Sequence, residues 1–433
     1  MAILSDALLQ ALRSRGAATS ADLQAALGAS QATISRALAP LLHAGQVLRV
    51  GRARSQAYLL PRVVEGSGAH ATIPIVKVGE DGTASPFATL VPVAGGRFWV
   101  DEEAGPKALH DGLPWFLSDM RPQGFLGRTF AHRHAELGLS PNPDQWSDDD
   151  VLKALCLTGE DLPGNLVIGF QSFERLQGLR PQKAAPADYP RLADAALHGG
   201  QPGSSAGGDQ PKFCVVANGR PVIVKFSPGG NAASAQRWRD LLVCEHLALE
   251  ALAQAGVPAA ASRIVEGAGR VFLEVVRFDR TAKGRIGMVS LMAYDNEYVG
   301  KIDNWANTAE RMATRSLLTD RDADRLRFLE AFGILIGNTD RHYGNISLLI
   351  DAAGDWALAP AYDVLPMVYA PTAGEIVERE FDPSAIAPPV QALRQWPHAR
   401  VLAQRYWRAV ATDSRISSAF RKRAAAHAQS LQP

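Results

Sequence analysis

Apolar residues in the first 62 positions recur at helical spacing and are interrupted by glycines. The spacing predicts a first helix that ends before Gly16, a second over 21–27 capped by Ser20, and a third capped by Ser30. Two short apolar segments follow, and the Gly-Arg-Ala-Arg sequence between them predicts a hairpin turn. The start of the chain is therefore expected to fold as three helices and a β-hairpin.

Polar residues on the third predicted helix and in the hairpin turn are candidates for contacts with DNA. The arrangement resembles a winged helix-turn-helix, in which the third helix enters the major groove and the wing touches phosphates. The candidate contacts are Gln31, Thr33, Arg36, Arg52 and Arg54. Pro40 is expected to kink or shorten the third helix, at a cost of about 3 kcal/mol. The same pattern also fits a docking or dimerisation module whose arginines are only solvated.

Short strands are predicted after residue 72. Apolar segments at 73–78, 87–93 and 97–100 are separated by glycines, which is typical of a small β-rich subdomain. The segment 63–72 before them contains Gly-Ser-Gly and is expected to be a linker.

A loop of small residues, Ser204-Ser-Ala-Gly-Gly-Asp-Gln-Pro-Lys212, precedes another apolar segment. Glycine lets backbone amides approach a phosphate closely, so the loop is a candidate phosphate-binding element. It lacks the Walker spacing, and glycine loops between strands are often only turns. The loop by itself leaves both interpretations open.

A lysine lies within the β-branched segment 222–226. Because side chains alternate along a strand, Lys225 is expected to share a face with Ile223. The helix predicted over 235–255 carries Glu245 beside its apolar stripe. An ion pair between Lys225 and Glu245 would direct the ammonium group at a nucleotide phosphate, as in protein kinases. Taken alone, Glu245 also fits an ordinary surface acid.

Asp340 and Asn345 have the Asp-x4-Asn spacing of a kinase catalytic loop. In that loop the aspartate accepts the proton of the attacking hydroxyl group and the asparagine binds Mg²⁺. A predicted hairpin follows and brings Asp363 back toward the same place, where kinases hold a metal-binding aspartate. Mg²⁺ prefers few protein oxygens together with phosphate and water, which Asn345 and Asp363 would supply. Asp340 alone also fits a helix cap or a turn.

Composition narrows the class of protein and reveals an uneven charge. The chain has 433 residues, of which 47% are hydrophobic and 21% charged, the balance of a globular protein with several domains. No apolar run approaches the about 18 residues that cross a bilayer, so a cytoplasmic protein without membrane contacts is expected. The overall charge is +1, yet residues 1–62 hold seven arginines, no lysine and two acids. A basic head on a mildly acidic body indicates a polyanionic partner for the head.

Together, these motifs resemble the HipA family of serine/threonine kinases, the toxin components of bacterial toxin-antitoxin pairs. The resemblance covers roughly residues 73–425 and is most specific in SSAGGDQPK, VIVKF, VVRFDR, GNTDRHYGN and AYDVLPM. The basic head is an addition to the usual HipA plan and is similar to the YjjJ-type members. The resemblance implies an α+β, bilobal, protein-kinase-like fold with a β-rich N-terminal subdomain, preceded by a winged helix-turn-helix. The expected domains are 1–62 (winged helix-turn-helix), 63–72 (linker), 73–169 (β-rich subdomain), 170–280 (N-lobe) and 281–433 (helical C-lobe).

The resemblance also implies roles for individual residues. The implied contacts to ATP are Gly207, Gly208, Asp209, Gln210, Lys212, Lys225, the hinge backbone at Val276, Arg277 and Phe278, and His342, Asn345, Tyr362 and Asp363. Asn345 and Asp363 would bind Mg²⁺, whereas Glu245 would position the lysine and Asp340 would be the catalytic base. A serine at the start of the glycine loop is autophosphorylated in this family, which expels the loop and switches the kinase off. Ser205 has the matching place, with Ser204 beside it.

The sequence therefore predicts a toxin-like, ATP- and Mg²⁺-dependent serine/threonine protein kinase of HipA type that also binds double-stranded DNA through residues 1–62. The family implies a translation-related protein substrate, such as an aminoacyl-tRNA synthetase, and a HipB-like antitoxin. The catalytic motifs also serve small-molecule kinases, although SSAGGDQPK favours HipA. The alternative from another class is a transcriptional regulator whose kinase fold acts as a sensor or scaffold.

Overall fold

The N-terminal unit consists of three helices and a small sheet. The structure is a computed structural model that describes residues 2–51, 56–68, 71–197, 210–351, 354–372 and 374–432. The elements of this unit are α1 (Ala2–Arg15), β1 (Ala17–Ala18), α2 (Ser20–Leu27), α3 (Gln31–His43), β2 (Leu48–Val50) and β3 (Ala57–Leu59). The strands pair antiparallel in the order β1-β3-β2. The core contains Leu8, Leu12, Leu23, Ile34 and Leu38, so the apolar periodicity of the sequence indicates the buried faces correctly.

The starts of α2 and α3 have local chemical causes. The sequence predicts Ser20 as the cap of α2, but the structure shows that the cap is Thr19, so this prediction is wrong. The Thr19 hydroxyl accepts from the Asp22 amide at 3.2 Å, and the Thr19 amide donates to the Asp22 carboxylate at 2.8 Å. This reciprocal pair satisfies amides that the start of a helix leaves unpaired. Ser30 caps α3 as predicted, because its hydroxyl accepts from the Thr33 amide.

Helix α3 continues through Pro40. It reaches His43, and the Ala44 amide donates to the Pro40 carbonyl at 2.9 Å, so the last turn is closed. Leu38 and Leu41 beside the proline are 1% and 7% exposed. Burial of these side chains favours the helical turn even though proline removes one backbone hydrogen bond from it. The expected shortening of this helix does not occur.

The second unit is an antiparallel five-stranded sheet with helices packed on it. Its elements are β4 (Ile73–Val78), β5 (Ala84–Val93), β6 (Arg97–Glu102), β7 (Lys107–Asp111), α4 (Gly124–Arg133), α5 (Asp148–Thr158), β8 (Leu166–Ile168) and α6 (Phe170–Gly178). The strand order is β7-β6-β5-β4-β8. The three predicted strand segments lie in β4, β5 and β6. Strand β7 is largely polar and β8 has only three residues, so neither has enough periodicity to be predicted.

The N-terminal unit is packed against this five-stranded sheet. Their shared core contains Ala57, Leu59, Val91, Val93 and Trp99. The Arg97 guanidinium donates to the carbonyl of Ser14 at 2.9 Å, at the end of α1. Within the segment expected to be a linker, Val64 is 3% exposed and belongs to the core of the second unit. The N-terminal unit is thus held on the rest of the chain by apolar and polar contacts.

The third unit is a four-stranded antiparallel sheet with a long helix. Its elements are α7 (Tyr189–Leu197), β9 (Lys212–Ala217), β10 (Arg220–Phe226), α8 (Ala233–Gln254), β11 (Ser262–Gly267) and β12 (Arg270–Val276), and the strand order is β11-β12-β10-β9. Val222, Val224 and Phe226 of β10 pack in one core with Tyr189 of α7. Ile223 and Lys225 therefore lie on the opposite face, as the period of two predicts.

The fourth unit is mainly helical. Its elements are β13 (Gly287–Ser290), α9 (Leu291–Tyr298), α10 (Trp305–Thr314), α11 (Asp320–Leu335), β14 (Ser347–Ile350), β15 (Trp356–Leu358), α12 (Trp396–Thr412) and α13 (Ser418–Ser430). The predicted hairpin is β14 with β15, and β13 adds a third strand beside β14. The Trp407 indole donates to the Leu335 carbonyl at 3.2 Å and ties α12 to α11. Helix α8 packs on α12, so the third and fourth units share one core.

Two further predictions concern the whole chain. Cys156, Cys214 and Cys244, whose number and spacing favour buried thiols, are all buried, and none of the three forms a disulfide. Among the described residues, the structure contains no helix with both the length and the apolar character needed to span a membrane.

Candidate active site

A cavity of about 440 Å³ lies between the four-stranded sheet and the helical unit, at the face of β10 that carries Ile223 and Lys225. We call it the cleft. Its volume is within the range of small-molecule and cofactor pockets. Many of the candidate residues line it, namely Lys212, Lys225, Glu245, Val276, Arg277, Phe278, His342, Asn345, Tyr362 and Asp363. Residues that are far apart in sequence therefore meet at one place.

Lys225 is the central cation of the cleft. Its ammonium group lies 2.7 Å from the Glu245 carboxylate on α8 and also contacts the Asp363 carboxylate. Glu245 is 1% exposed, and its Oε2 atom has no hydrogen-bond partner among the residues that the structure describes. A buried carboxylate is tolerated only when it is paired, so the two side chains hold each other in place. The ion pair that the sequence predicts between Lys225 and Glu245 is present.

Asp363 has an unusual backbone conformation. Its φ is +54°, in the left-handed region that residues other than glycine seldom adopt, although aspartate tolerates it better than most. Such conformations persist where the surrounding structure enforces them, and they cluster at functional sites. The conformation sets the direction of a carboxylate that already contacts Lys225.

Asn338 joins the two chain segments that carry the candidate aspartates. It is fully buried; its Oδ1 accepts from the Asp340 amide at 3.1 Å, and its Nδ2 lies 3.5 Å from the Asp363 carbonyl. The sequence analysis did not single out this residue. Its only signal is its place two residues before Asp340 in the segment GNTDRHYGN. Asn338 therefore acts on the site by positioning both segments.

The loop after α11 places Asn345 in the lining of the cleft, whereas Asp340 is not a lining residue and lies just outside it, beside the lining residue His342. Asn345 is 7% exposed, and its Nδ2 donates to the Asp340 carbonyl at 2.8 Å, which leaves Oδ1 as a possible metal ligand. The Asp340 carboxylate is half exposed and lies 3.8 Å from His342 Nε2. His342 Nδ1 accepts from the Gly344 amide at 3.0 Å, which orients the ring. A substrate hydroxyl group from solution can reach the Asp340 carboxylate in this position.

The chain after β12 forms the strip expected to be the adenine hinge. The amides of Val276 and Arg277 donate to the carbonyls of Ala261 and Pro221, both at 2.9 Å. The Phe278 amide has no partner in the part of the chain that the structure describes. Of the three hinge amides, it is the one left for a ligand. The Arg277 side chain is engaged by Asp279, at 2.8 and 2.9 Å, so its implied contact with ATP would come from the backbone.

Tyr362 and Phe278 form an aromatic wall of the cleft, with ring centroids 5.5 Å apart. The Tyr362 hydroxyl donates to the Gly344 carbonyl at 3.0 Å and lies 2.7 Å from the Ser347 hydroxyl. Burial raises the pKa of Tyr362, so the phenol stays protonated at neutral pH. This wall offers a planar ligand an apolar face near the free Phe278 amide.

Part of the glycine loop lies outside the described residues. This applies to Gly207, Gly208 and Asp209 and to the candidate phosphorylation sites Ser204 and Ser205. Lys212, at the start of β9, is 3% exposed and lines the cleft. Gln210 donates from Nε2 to the Phe226 carbonyl at 2.8 Å, which ties the end of the loop to β10.

The second unit contributes a wall of the cleft that the sequence analysis missed. Ser118, Asp119 and Gln123 line the cleft, although they belong to the five-stranded unit. The Asp119 carboxylate accepts hydrogen bonds from the amide and the hydroxyl of Ser290, which caps α9. Burial raises the pKa of Asp119, whereas the bonds from Ser290 act in the opposite direction. No local motif surrounds these residues, so only their position in the fold identifies them.

The candidate DNA contacts lie in the N-terminal unit, away from the cleft. Gln31 and Arg36 are exposed on α3, and Thr33 is half-buried beside them. The Thr33 hydroxyl lies 3.0 Å from the Ser30 hydroxyl, so it also serves the helix cap. Arg52 and Arg54 lie outside the described residues.

The residues of the cleft fit ATP and Mg²⁺. Two carboxylates, Glu245 and Asp363, face one ammonium group, so the arrangement has room for additional positive charge. Asn345 and Asp363 provide oxygen donors on one wall, and Mg²⁺ needs only one or two carboxylates besides phosphate and water. Among the described residues, no group of three or more histidine, cysteine or acidic side chains is arranged to hold a metal ion by itself. Carboxylate and amide oxygens such as these are the donors that a hard cation prefers.

Comparisons of the sequence with known proteins match nearly the whole chain. Residues 69–177 match the family model for the YjjJ-like toxin middle domain, and residues 204–430 match the model for the HipA-like C-terminal domain. The curated protein Toxin YjjJ of Escherichia coli (strain K12) is 37% identical over 439 aligned residues, which cover 97% of this chain and 95% of that protein.

One solved structure shows a similar fold. HipA from Shewanella oneidensis MR-1, solved with HipB and operator DNA, matches with a TM-score of 0.53 at 15% identity, over 82% of this chain and 95% of that one. The proinflammatory kinase CtkA of Helicobacter pylori matches with a TM-score of 0.39 at 13% identity, over 52% of this chain and 87% of that one. The identity to the Escherichia coli toxin and the two family matches lead to one conclusion: this chain is a member of the HipA family of toxins, of the YjjJ type.

Proposed function

We propose that this toxin is an ATP- and Mg²⁺-dependent serine/threonine protein kinase. The observation that carries the proposal is the contact of Lys225 with both Glu245 and Asp363 inside a cleft of about 440 Å³. Phosphoryl transfer asks a protein mainly to position its reactants and to stabilise charge. A lysine held by a buried glutamate, next to oxygen donors for a metal, meets that requirement.

Each residue has a chemical role in this proposal. Lys225 and Lys212 bind phosphate oxygens, and the Phe278 amide and the Tyr362 ring hold the base. Asn345 and Asp363 hold Mg²⁺, which when bound would offset the negative charge of the phosphates. Asp340 at the rim accepts the proton of the substrate hydroxyl group. The family suggests a translation-related protein, such as an aminoacyl-tRNA synthetase, as the source of that hydroxyl group.

Incubation of the purified chain with γ-labelled ATP tests the proposal. In the presence of Mg²⁺ we expect the protein to become labelled on serine, and peptide mapping is expected to locate the label at Ser205 or Ser204. The same incubation with excess EDTA is the control and is expected to give no label, because the metal site is then vacant. Label that forms equally with EDTA would contradict the metal requirement.

The competing function is that of a regulator whose kinase fold senses nucleotide without transferring phosphate. It predicts nucleotide binding without labelled serine and without transfer to any added protein. The retention of Lys225, Glu245, Asp340, Asn345 and Asp363 in one arrangement favours transfer. Binding of ATP without any transfer under these conditions would decide for the regulator.

The N-terminal unit favours DNA as a second ligand. It has a helix, α3, with Gln31 and Arg36 exposed, and residues 1–62 carry seven arginines against two acids. The order of three helices and short strands supports the interpretation as a winged helix-turn-helix, a fold that presents such a helix to the major groove. The structure of HipA from Shewanella oneidensis was solved together with HipB and operator DNA. Because the folds are similar, we propose that this chain also binds a HipB-like antitoxin and DNA.

Binding of double-stranded DNA by the full chain is expected to weaken steeply with salt. A protein that neutralises phosphates releases counterions, so the logarithm of its affinity falls with the logarithm of the salt concentration. Replacing Arg52 and Arg54 together by glutamine is expected to lower that slope by about 0.9 for each phosphate that is no longer neutralised. Gel shifts at several salt concentrations measure it. The exposed Arg405→Gln on α12 is the matched control, and an equal change in slope for this variant would contradict a specific role of the wing.

A further inference from the structure

A second cavity lies behind the cleft. It measures about 580 Å³ and is enclosed by the five-stranded unit, by β9 and β10 of the four-stranded sheet and by the segment 277–285. We call it the rear cavity. Arg277 lies in the wall of both cavities, so the two are separated by the chain that follows β12. None of the roles proposed for the cleft uses this space.

The walls of the rear cavity carry an excess of positive charge. Its cationic side chains are Arg180, Arg277, Arg280, Lys283 and Arg285, and its acidic side chain is Asp161. Asp279, just behind the wall, pairs with Arg277 and Arg280. Five cations face these two carboxylates and that of Asp81 in the neighbouring turn, which interacts with Lys283, so the excess is two positive charges. Asp81, in the turn next to the cavity, is engaged by the hydroxyl and the amide of Thr83.

Arg285 is the cation with the poorest compensation. It is 5% exposed, and its Nη2 donates to the Glu160 carbonyl, which carries no full charge. Its Nη1 has no partner among the residues that the structure describes. Burial lowers the pKa of Arg285 to about 9, and the positive charge of Arg280 acts in the same direction. The charges of Asp161 and Asp279 act on its pKa in the opposite direction, but both carboxylates are already paired with Arg277 and Arg280, so Arg285 only shares them. A buried guanidinium group with such incomplete compensation favours the binding of a further anion.

The remaining walls of the rear cavity are apolar. Val78, Leu176, Leu179, Val215 and Val222 line it. Arg180 and Lys283 are exposed, so they are accessible to a ligand that approaches from solution. Arginine binds phosphate through its planar set of N–H donors, and it does so best where water is excluded. A ligand that matches these walls combines a phosphate group with an apolar or ring-shaped body.

We propose that the rear cavity is a binding site for a small organic phosphate, separate from the nucleotide cleft. Arg285 contacts the phosphate at the base, Arg180 and Lys283 hold it from the solvent side, and the valines and leucines pack on the body. The proposal does not depend on phosphoryl transfer in the cleft. A ligand in this place contacts the back of the segment whose other side is the proposed adenine hinge.

Calorimetric titration of the full chain with phenyl phosphate at constant ionic strength tests the proposal. We expect binding that persists in Lys225→Met, which removes one of the two lysines proposed to bind phosphate in the cleft. In Arg285→Gln we expect the affinity to fall by about tenfold or more, the loss of one charge-assisted hydrogen bond. Phenol, the same ring without charge, is expected not to bind, and benzoate is expected to bind about tenfold more weakly than phenyl phosphate, because its carboxylate offers fewer acceptors.

Two further variants keep the test decisive. If circular dichroism shows that Arg285→Gln does not fold, the double variant Arg180→Gln with Lys283→Gln replaces it, since both side chains are exposed. It is expected to weaken binding by about fivefold or more, whereas the exposed Arg405→Gln is expected to stay within about twofold of wild type. Loss of binding in Lys225→Met would place the phosphate in the cleft and overturn the proposal. The proposal would also be overturned if benzoate bound as tightly as phenyl phosphate, or if the rear-cavity variants kept the wild-type affinity for phenyl phosphate. It would be overturned as well if phenyl phosphate did not bind at all.

Discussion

Replacing Asp363 by asparagine is expected to lower the rate of phosphoryl transfer from ATP by about 10²–10³-fold, the scale on which single charge-stabilising groups act. The carboxylate contacts Lys225 and lines the cleft, so it serves both the ammonium group and the proposed metal. Asparagine keeps the size of the side chain but removes its charge. We therefore also expect Asp363→Asn to lose the part of its affinity for ATP that depends on Mg²⁺.

Asp340→Asn is expected to separate the roles of the two aspartates. The Asp340 carboxylate is half exposed at the rim, where it is placed to accept a proton and not to hold the nucleotide. Its loss should lower the rate by about 10²–10⁴-fold, the contribution of a general base, while the affinity for ATP stays close to that of wild type. Rates come from transfer of labelled phosphate, and affinities come from titration with ATP in the presence and absence of Mg²⁺.

Asp355→Asn is a matched control for both variants. Asp355 is an exposed aspartate in the nearby hairpin turn before β15, and we give it no role in the cleft. The Asp355→Asn variant is expected to transfer phosphate at the wild-type rate and to bind ATP with the wild-type affinity. If Asp363→Asn transferred phosphate as fast as Asp355→Asn, the assignment of Asp363 to the metal would be wrong.

Replacing Asp279 by alanine is expected to lower the free energy of unfolding by about 3–5 kcal/mol, the cost of leaving a buried charge unpaired. Asp279 is 4% exposed and accepts hydrogen bonds from Arg277 at 2.8 Å, from Arg280 at 2.7 Å and from the Gly164 amide at 3.1 Å. Its removal would leave two guanidinium groups facing each other with less compensation. Urea unfolding followed by circular dichroism measures the change.

The free energy of unfolding at acidic pH provides a second test of the role of Asp279. Burial alone would raise the pKa of this carboxyl group, but the charges of Arg277 and Arg280 overcome that effect and hold the pKa well below its usual value. The resulting stabilisation is present above about pH 4, the pKa in the unfolded chain, and is lost as the pH falls through the folded value. Asp279→Ala should lack this part of the acid dependence. Asp355→Asn is again the control, and a loss below about 1 kcal/mol for Asp279→Ala would argue against a buried ion network.

Local patterns predicted the parts of the cleft that depend on neighbours in sequence. The alternation of 222–226 placed Lys225 opposite the core, and helical spacing placed Glu245 beside the apolar stripe of α8. The spacing from Asp340 to Asn345 and the hairpin after it were also readable in advance. Each of these inferences rests on a period or a turn, which a few consecutive residues determine.

Local patterns were insufficient where a contact joins distant segments. The cap of α2 is a different case: Thr19 and Asp22 are only three residues apart, so their reciprocal pair is a local pattern, and the assignment of the cap to Ser20 was wrong. Pro40 was accommodated because the core surrounds the turn that contains it. Asp119 accepts a hydrogen bond from Ser290, which is 171 residues away in the sequence, and no sequence motif predicts such a pair.

The amino-acid sequence by itself determined which family this chain belongs to, which strand carries its lysine and which loop carries its candidate base, because these properties reside in short runs of residues. Only the tertiary structure shows that the five-stranded unit lines one side of the cleft and that Asp363 has a left-handed backbone conformation. It also shows that several arginines lie together in the rear cavity, behind the hinge. The physical reason is that burial and charge compensation depend on which distant segments come together, and a linear pattern contains no distances between them.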